Sequence, residues 1–202
     1  MIHTLRRYPH DQTFFERIRR RKPRTPTTVA ARFIYLNKTA FNGLYRVNLK
    51  GEFNVPFGRY VNPSICQEDR LRAAASALVG ADLRCADFET AVADAGPGDF
   101  VYLDPPYITG HTNNGFLKYN AHLFSWNDQE RLSCVASKLK DIGVSVLVTN
   151  ADHPAVTDLY EGFFRYRAQR RSLIGGVGSV RDNVYETILS SYPLAGMEVH
   201  EL

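Results

Sequence analysis

Val101-Tyr102-Leu103-Asp104-Pro105-Pro106-Tyr107 is the stretch of this chain whose residue types can do chemistry. Asp104 and the carbonyl of Pro105 are two acceptors side by side, with the Tyr107 ring next to them. A planar amino group on a heterocyclic base offers two N–H donors and a π-face, and the two sets match. Display of these groups requires an abrupt end to a strand. Val101 to Leu103 read as a short buried strand. The prolines stop it, because neither can donate to a ladder and each fixes its own φ. Asp104 and Tyr107 are then held at the carboxyl end of a strand, where open α/β sheets place their ligand sites. An ordinary strand-to-loop turn would carry the same prolines without any function.

The rest of the chain must supply the frame. With 202 residues, 44% of them hydrophobic, it can bury one core, or one and a part. No apolar run approaches 18 residues and no signal-peptide pattern is present, so a soluble, cytoplasmic protein is expected. Cys66, Cys85 and Cys134 are odd in number and lack metal-ligand spacing, so they read as buried, reduced thiols and no metal is expected. Charge is divided unevenly. Residues 1–60 hold 13 Lys/Arg against 3 Asp/Glu, and residues 61–202 hold 12 against 18, giving +10 and −6. The first third is therefore expected to meet a polyanion, with a solvated charged face as the plain alternative.

Residues 11–22 have the period of a helix with Phe14, Phe15 and Ile18 on one side. After Pro23 and Pro26, Thr27 or Thr28 can cap a second helix in which Val29, Phe33, Leu36 and Ala40 recur on one face. Lys50-Gly51 between Val47-Asn48-Leu49 and Glu52-Phe53-Asn54-Val55 predicts a hairpin. Pro63 is expected to start a helix that packs Leu71, Ala74, Ala75 and Leu78 inward, followed by a strand over 81–85. Asp87 can cap the next helical turn. Residues 108–118 read as a loop, residues 127–141 as a helix capped by Asn127, and residues 144–148 as a buried strand ending at Thr149-Asn150. Strands around 163–169 and 184–190 flank Gly175-Gly176-Val177-Gly178. That glycine run lies between two strands, so it fails as a dinucleotide fingerprint and reads as a hairpin near a nucleic-acid backbone.

Asn42-Gly43-Leu44-Tyr45-Arg46-Val47-Asn48 is dense in amide, aromatic and arginine side chains, a poor core but a good surface for reading bases. Together with Gly51-Glu52-Phe53-Asn54-Val55-Pro56-Phe57-Gly58-Arg59-Tyr60, it resembles the target-recognition segment of the Dam-type DNA adenine-N6 methyltransferases. Asp104 to Tyr107 match that family's catalytic Asp-Pro-Pro-Tyr tetrad at the expected distance downstream, and the similarity runs from about residue 11 to about residue 190.

The resemblance implies a fold, an activity and a set of roles. The fold is α/β: part of a Rossmann-like sheet dependent on S-adenosylmethionine, with a helical recognition region over 1–80 and the end of the catalytic domain over 81–202. The activity is methyl transfer from S-adenosylmethionine to an adenine flipped out of double-stranded DNA, at a GATC-like site, in a nucleoid-associated protein. Arg46 would reach a guanine, Phe41 and Leu44 would wedge beside the opened step, and Asn42 would face the orphaned base. Pro56 would touch a thymine methyl and Arg59 a phosphate, with Asn54 among the DNA contacts. Core packing of Phe41 and Leu44, and a surface salt bridge at Arg46, are the plainer readings of those residues. Asp87 and Phe88 would hold the adenosyl group, with Asp104 also on the cofactor side. Phe116 and Tyr119 match aromatic positions in the loop that closes over the base.

Family members also carry a Gly-Gly-Lys segment and a Pro-Phe-x-Gly-x-Gly turn, and neither stands before Asp11. In the family's strand order 3-2-1-4-5-7-6, the strand at 81–85 would be number 3 and that at 101–103 number 4. Strands 1 and 2 would have to come from an upstream segment or a partner chain. An unpaired sheet edge and weak cofactor binding are expected, and a non-catalytic DNA-binding remnant is the competing reading. Cytosine-C5 chemistry needs a nucleophilic cysteine, usually after a proline, and no cysteine here follows one. Aspartate at the head of the tetrad favours DNA adenine over cytosine-N4, RNA or protein substrates.

Overall fold

The computed structural model describes residues 1–48, 50–107, 124–171 and 183–197. They form two units, Met1–Asp82 and Leu83–Leu202. In the first, Asp11 caps helix α2 (Gln12–Arg20) by accepting from the Phe14 amide at 2.7 Å, and α1 (Ile2–Arg6) precedes it. Arg17, Arg19 and Arg20 fall in the last turn of α2, where positive charge suits the helix dipole. Helix α3 (Pro26–Thr39) starts at a capping box of Thr25 and Thr28, so the cap is Thr25 and Pro26 takes the first helical position. Its buried stripe is Ala31, Tyr35, Leu36 and Thr39. Val29 and Phe33, expected inside, are about half exposed, and the Phe33 ring instead packs at 4.7 Å from that of Tyr45. Tyr35 is fully buried among Tyr8, Phe14 and Phe15, and its hydroxyl donates to the Pro9 carbonyl. Burial pushes that hydroxyl up to about 12.

The expected hairpin forms around a bridge between Val47 and Phe53. The Asn48 side chain accepts from the amides of Lys50 and Glu52, which fixes the tip. Helix α4 covers Glu68–Ala77, starting five residues later than expected from Pro63. Leu71 is partly buried, but Ala74, Ala75 and Leu78 are exposed rather than packed inward, because no other element among the described residues covers that face.

The second unit is built on a four-stranded sheet in the order β1-β2-β4-β3. The strands are β1 (Phe100–Leu103), β2 (Ser145–Ala151), β3 (Phe164–Arg171) and β4 (Asn183–Ser190). The β1–β2 pair is parallel and the others are antiparallel. Numbered as the resemblance numbers them, the strands run 4-5-7-6. Helix α6 (Trp126–Asp141) makes the parallel crossover, and α5 (Phe88–Ala91) and α7 (Pro154–Thr157) are short. Ser125, not Asn127, caps α6, because Ser125 and Asp128 form a reciprocal capping box. Strand β2 alternates in burial, with Val146, Val148 and Asn150 fully buried in the layer that also holds Leu132, Val135, Ala136 and Leu139 of α6. It runs past Val148 because Thr149, Asn150 and Ala151 pair with Ile188, Thr187 and Glu186 of β4.

Residues 81–85 form no strand. They are exposed and have no ladder partner among the described residues, and a strand without a neighbour leaves its backbone groups unpaired. Cys85 is thus exposed, as is Cys134 on the outer side of α6, and Cys66 is only half-buried, so the cysteines are not the buried thiols expected. Among the described residues β1 pairs only with β2, and Phe100 and Tyr102 are 57% and 52% exposed. No helix among the described residues is long and apolar enough to cross a membrane, and no group of residues there could hold a metal ion.

Candidate active site and nucleic-acid surface

Strand β1 ends at the buried Leu103, and Pro105 is buried just beyond it, leaving Asp104 and Pro106 exposed and Tyr107 half-buried. The parallel register sets Leu103 beside Val148, so the next residue of each strand, Asp104 and Thr149, meet at the sheet's carboxyl end. Thr149 Oγ1 donates to Asp104 Oδ1 at 2.8 Å. The Tyr102 hydroxyl lies 3.0 Å from the same threonine oxygen. Burial raises the titration point of Tyr107, and the nearby Glu186 and Asp104 carboxylates raise it further, against a hydrogen bond with Thr149 that lowers it.

A cavity of about 400 Å³ opens at this point, lined by Asp87 and Phe88, by Tyr102 to Pro106, by Phe124, and by Asp128, Arg131 and Leu132. Asp87, Phe88, Asp104, Pro105 and Pro106, five of the expected site residues, thus share one cavity. Asp87 also acts as the cap of α5, accepting from the Glu89 amide at 3.0 Å. Its other oxygen accepts from Arg131 at 2.7 Å, and this bond, with the Glu89 amide, lowers the Asp87 titration point. The Arg131 guanidinium lies 4.3 Å from the centre of the Phe88 ring. Bonds from the Ser125 amide and hydroxyl hold Asp128 below its ordinary range as well. Phe116, Tyr119 and the glycine run at 175–178 lie outside the described residues.

In the first unit, Phe41, Asn42, Arg46, Pro56 and Arg59 are exposed, while Leu44 and Asn54 are half-buried. Phe41 is therefore not core, whereas Leu44 packs against the unit's apolar cluster. Arg46 makes no salt bridge among the described residues. Its Nε donates to Asn54 Oδ1 at 2.8 Å, and its two terminal nitrogens make no side-chain bond among the described residues. Asn42 adopts φ 52°, a left-handed conformation that asparagine tolerates, and this turns the chain between α3 and the hairpin. The amides of Phe41 and Gly58 donate to the carbonyls of Pro56 and Thr39. A Cβ on Gly58 would stand 2.9 Å from the Ala40 carbonyl oxygen, so only glycine permits this close approach.

A cleft of about 660 Å³ runs between the end of α2 and the hairpin tip, lined by Arg19, Arg20, Arg21, Lys22, Arg32 and Lys50 against Glu16 and Glu52. Arg32 donates to the Ile18 and Arg19 carbonyls, neutralising the negative end of α2. Arg21, Lys22 and Lys50 have no ion-pair partner among the described residues. Sequence reasoning missed this cleft, Arg131 and the role of Thr149. Only the Arg19–Lys22 charge run was a local signal.

Residues 4–173 match the family described as D12 class N6 adenine-specific DNA methyltransferase. The type II methyltransferase M1.LlaDCHI of Lactococcus lactis subsp. cremoris is 38% identical over 165 residues, 81% of this chain and 58% of that protein. The type II methyltransferase M.MjaIII of Methanocaldococcus jannaschii is 39% identical over 164 residues, 80% of this chain and 57% of that protein. The DNA adenine methylase of Escherichia coli (strain K12) is 32% identical over 167 residues, 83% of this chain and 60% of that protein. The match spans a little under three fifths of the first two relatives' length. On the strength of a family match that takes in both the hairpin segment and the Asp104–Tyr107 turn, this chain belongs to the D12 class of N6 adenine-specific DNA methyltransferases.

Proposed function

We propose that this chain contributes the base-holding and sequence-reading parts of a DNA adenine-N6 methyltransferase. In this reading it acts on an adenine flipped out of duplex DNA within a GATC-like site, with S-adenosylmethionine as methyl donor. The observation that carries the reading is the shared cavity of Asp87, Phe88, Asp104 and Pro105. An acceptor pair for a base amine lies there beside an acidic and aromatic pair suited to an adenosyl group.

Asp87 and Phe88 fit the adenosyl end in residue type, since Arg131 keeps the carboxylate an acceptor and Phe88 offers a ring. Because the Arg131 guanidinium covers one side of that ring, adenine would take the other side or displace it. When bound, the cofactor supplies an electrophilic methyl group. Adenine N6 is a poor nucleophile because its lone pair is delocalised into the ring. By accepting both amine hydrogens, Asp104 and the Pro105 carbonyl would draw the nitrogen toward sp³ geometry and offset its developing positive charge. Tyr107 would stack on the extruded base, offsetting an unstacking cost of a few kcal/mol. Holding both reactants in line supplies the rest.

In the first unit, Arg46 would read guanine O6 and N7, oriented by Asn54, with Phe41, Asn42, Leu44 and Pro56 around the opened step and Arg59 on phosphate. Tyr119 would contact the target base. A segment or partner chain pairing with β1 would bring the glycine-rich cofactor turn. The exposed edge at Phe100 and Tyr102 supports this, and equally supports the second reading, DNA binding without catalysis.

Methylation of duplex DNA by wild type and Asp104→Ala, measured beside DNA affinity, tests the proposal. The expected outcome, with the segment or partner chain that brings the cofactor turn supplied in trans, is methylation by wild type only, at similar DNA affinity. Equal loss of methylation and affinity in the variant would make Asp104 structural. DNA binding by an inactive wild type would favour the second reading.

A further inference from the structure

We infer that Thr149 is the positioning residue for Asp104, at the head of the Asp-Pro-Pro-Tyr turn, and that Tyr102 orients Thr149. The inference deepens the reading of Asp104 as the acceptor for the base amine and rests on it. Thr149 has one hydroxyl proton and gives it to Asp104 Oδ1 at 2.8 Å. The 3.0 Å contact with Tyr102 therefore has the tyrosine as donor, so the chain runs from the Tyr102 hydroxyl to Thr149 and on to Asp104.

The threonine is itself fixed. Its neighbours Val148 and Asn150 are fully buried on the opposite face of β2, and strand alternation then places Thr149 on the face of Tyr102 and Asp104. Asn150 is further held by reciprocal amide bonds with the buried Gln129 of α6. One oxygen of Asp104 is thus committed to the sheet. The other is left, in a set direction, for a hydrogen of the amine. An untethered carboxylate would sample several rotamers and meet the amine in only some of them.

The test compares Thr149→Val, which keeps the shape and loses the hydroxyl, with Thr149→Ser, which keeps the hydroxyl. Crystal structures of both in the full chain should show the Asp104 carboxylate turned to a new or mixed orientation in the valine variant and unmoved in the serine variant. In methylation assays the valine variant should lose up to about 100-fold in kcat with KM for DNA little changed, and the serine variant should recover most of it. Tyr102→Phe should give a smaller loss of the same kind, and it serves if the valine variant does not fold. A carboxylate unmoved in the valine variant, or serine falling as far as valine, would overturn the inference. If wild type transfers no methyl group, the proposed function fails, while the carboxylate orientation still decides the role of Thr149.

Discussion

On the proposed reading Arg46 meets guanine with its two terminal nitrogens, while Asn54 accepts from its Nε. Arg46→Ala should weaken binding to the preferred duplex by about 1–3 kcal/mol while binding to other sequences changes little. Competition titrations read this as relaxed specificity at one base pair, and a uniform loss on all duplexes would instead make Arg46 a phosphate contact. Asp87 gives a pH signature. Its titration point is lowered chiefly by Arg131, so its contribution to stability is present above its ordinary value of 3.8 and lost as pH falls through the lower folded value. Arg131→Gln should therefore flatten the fall in unfolding stability below about pH 4, followed by denaturant melts at stepped pH. An unchanged acid slope would mean that the pair contributes nothing. The tetrad and the recognition hairpin are legible in the sequence because each is a contiguous run. Thr149 and Arg131 are not, because they meet Asp104 and Asp87 across 45 and 44 residues of chain, and only the strand register and the α6 docking bring them there.

Where sequence reading of the elements fails, the cause is a missing or unexpected neighbour. Residues 81–85 have strand-like composition but no neighbouring strand among the described residues, and they stay irregular and exposed. Strand β2 runs beyond Val148 because β4 pairs with it there, which periodicity within residues 144–151 does not show. Both displaced caps arise from competing side chains. Thr25 and Ser125 each close a capping box with the residue three positions on, so Thr28 serves as the partner rather than the cap, and Thr27 and Asn127 are outcompeted. Ser125→Ala should cost about 1 kcal/mol in urea unfolding of the second unit, read as a lower midpoint at unchanged slope. No change in midpoint would show that Asp128 alone sustains the cap. The Gln129–Asn150 pair is the more costly link between α6 and β2. Gln129→Leu removes the acceptor of a buried amide and should cost about 1–3 kcal/mol by the same measurement.

At the scale of the molecule, the charge division is the feature that the sequence predicts without any motif. The +10 balance of residues 1–60 is not spread evenly. Six cations line the cleft between α2 and the hairpin tip, and the negative end of α2 is already neutralised by Arg32. Lys50 stands in the turn at the tip of the hairpin that carries Arg46. A duplex read by Arg46 in its major groove would present its flanking phosphates toward this tip. Lys50→Gln should reduce the slope of log affinity against log salt by about 0.9 and weaken all duplexes alike. An unchanged slope would place the phosphate track elsewhere. The measurement closest to the central claim is mass spectrometry of nucleosides from duplex DNA incubated with S-adenosylmethionine bearing a labelled methyl group, this chain, and the segment or partner chain that supplies the cofactor turn. Labelled N6-methyldeoxyadenosine from the wild-type protein, and none from Asp104→Ala, is the predicted result. Label on cytosine, equal label from both proteins, or no label from wild type would contradict the account.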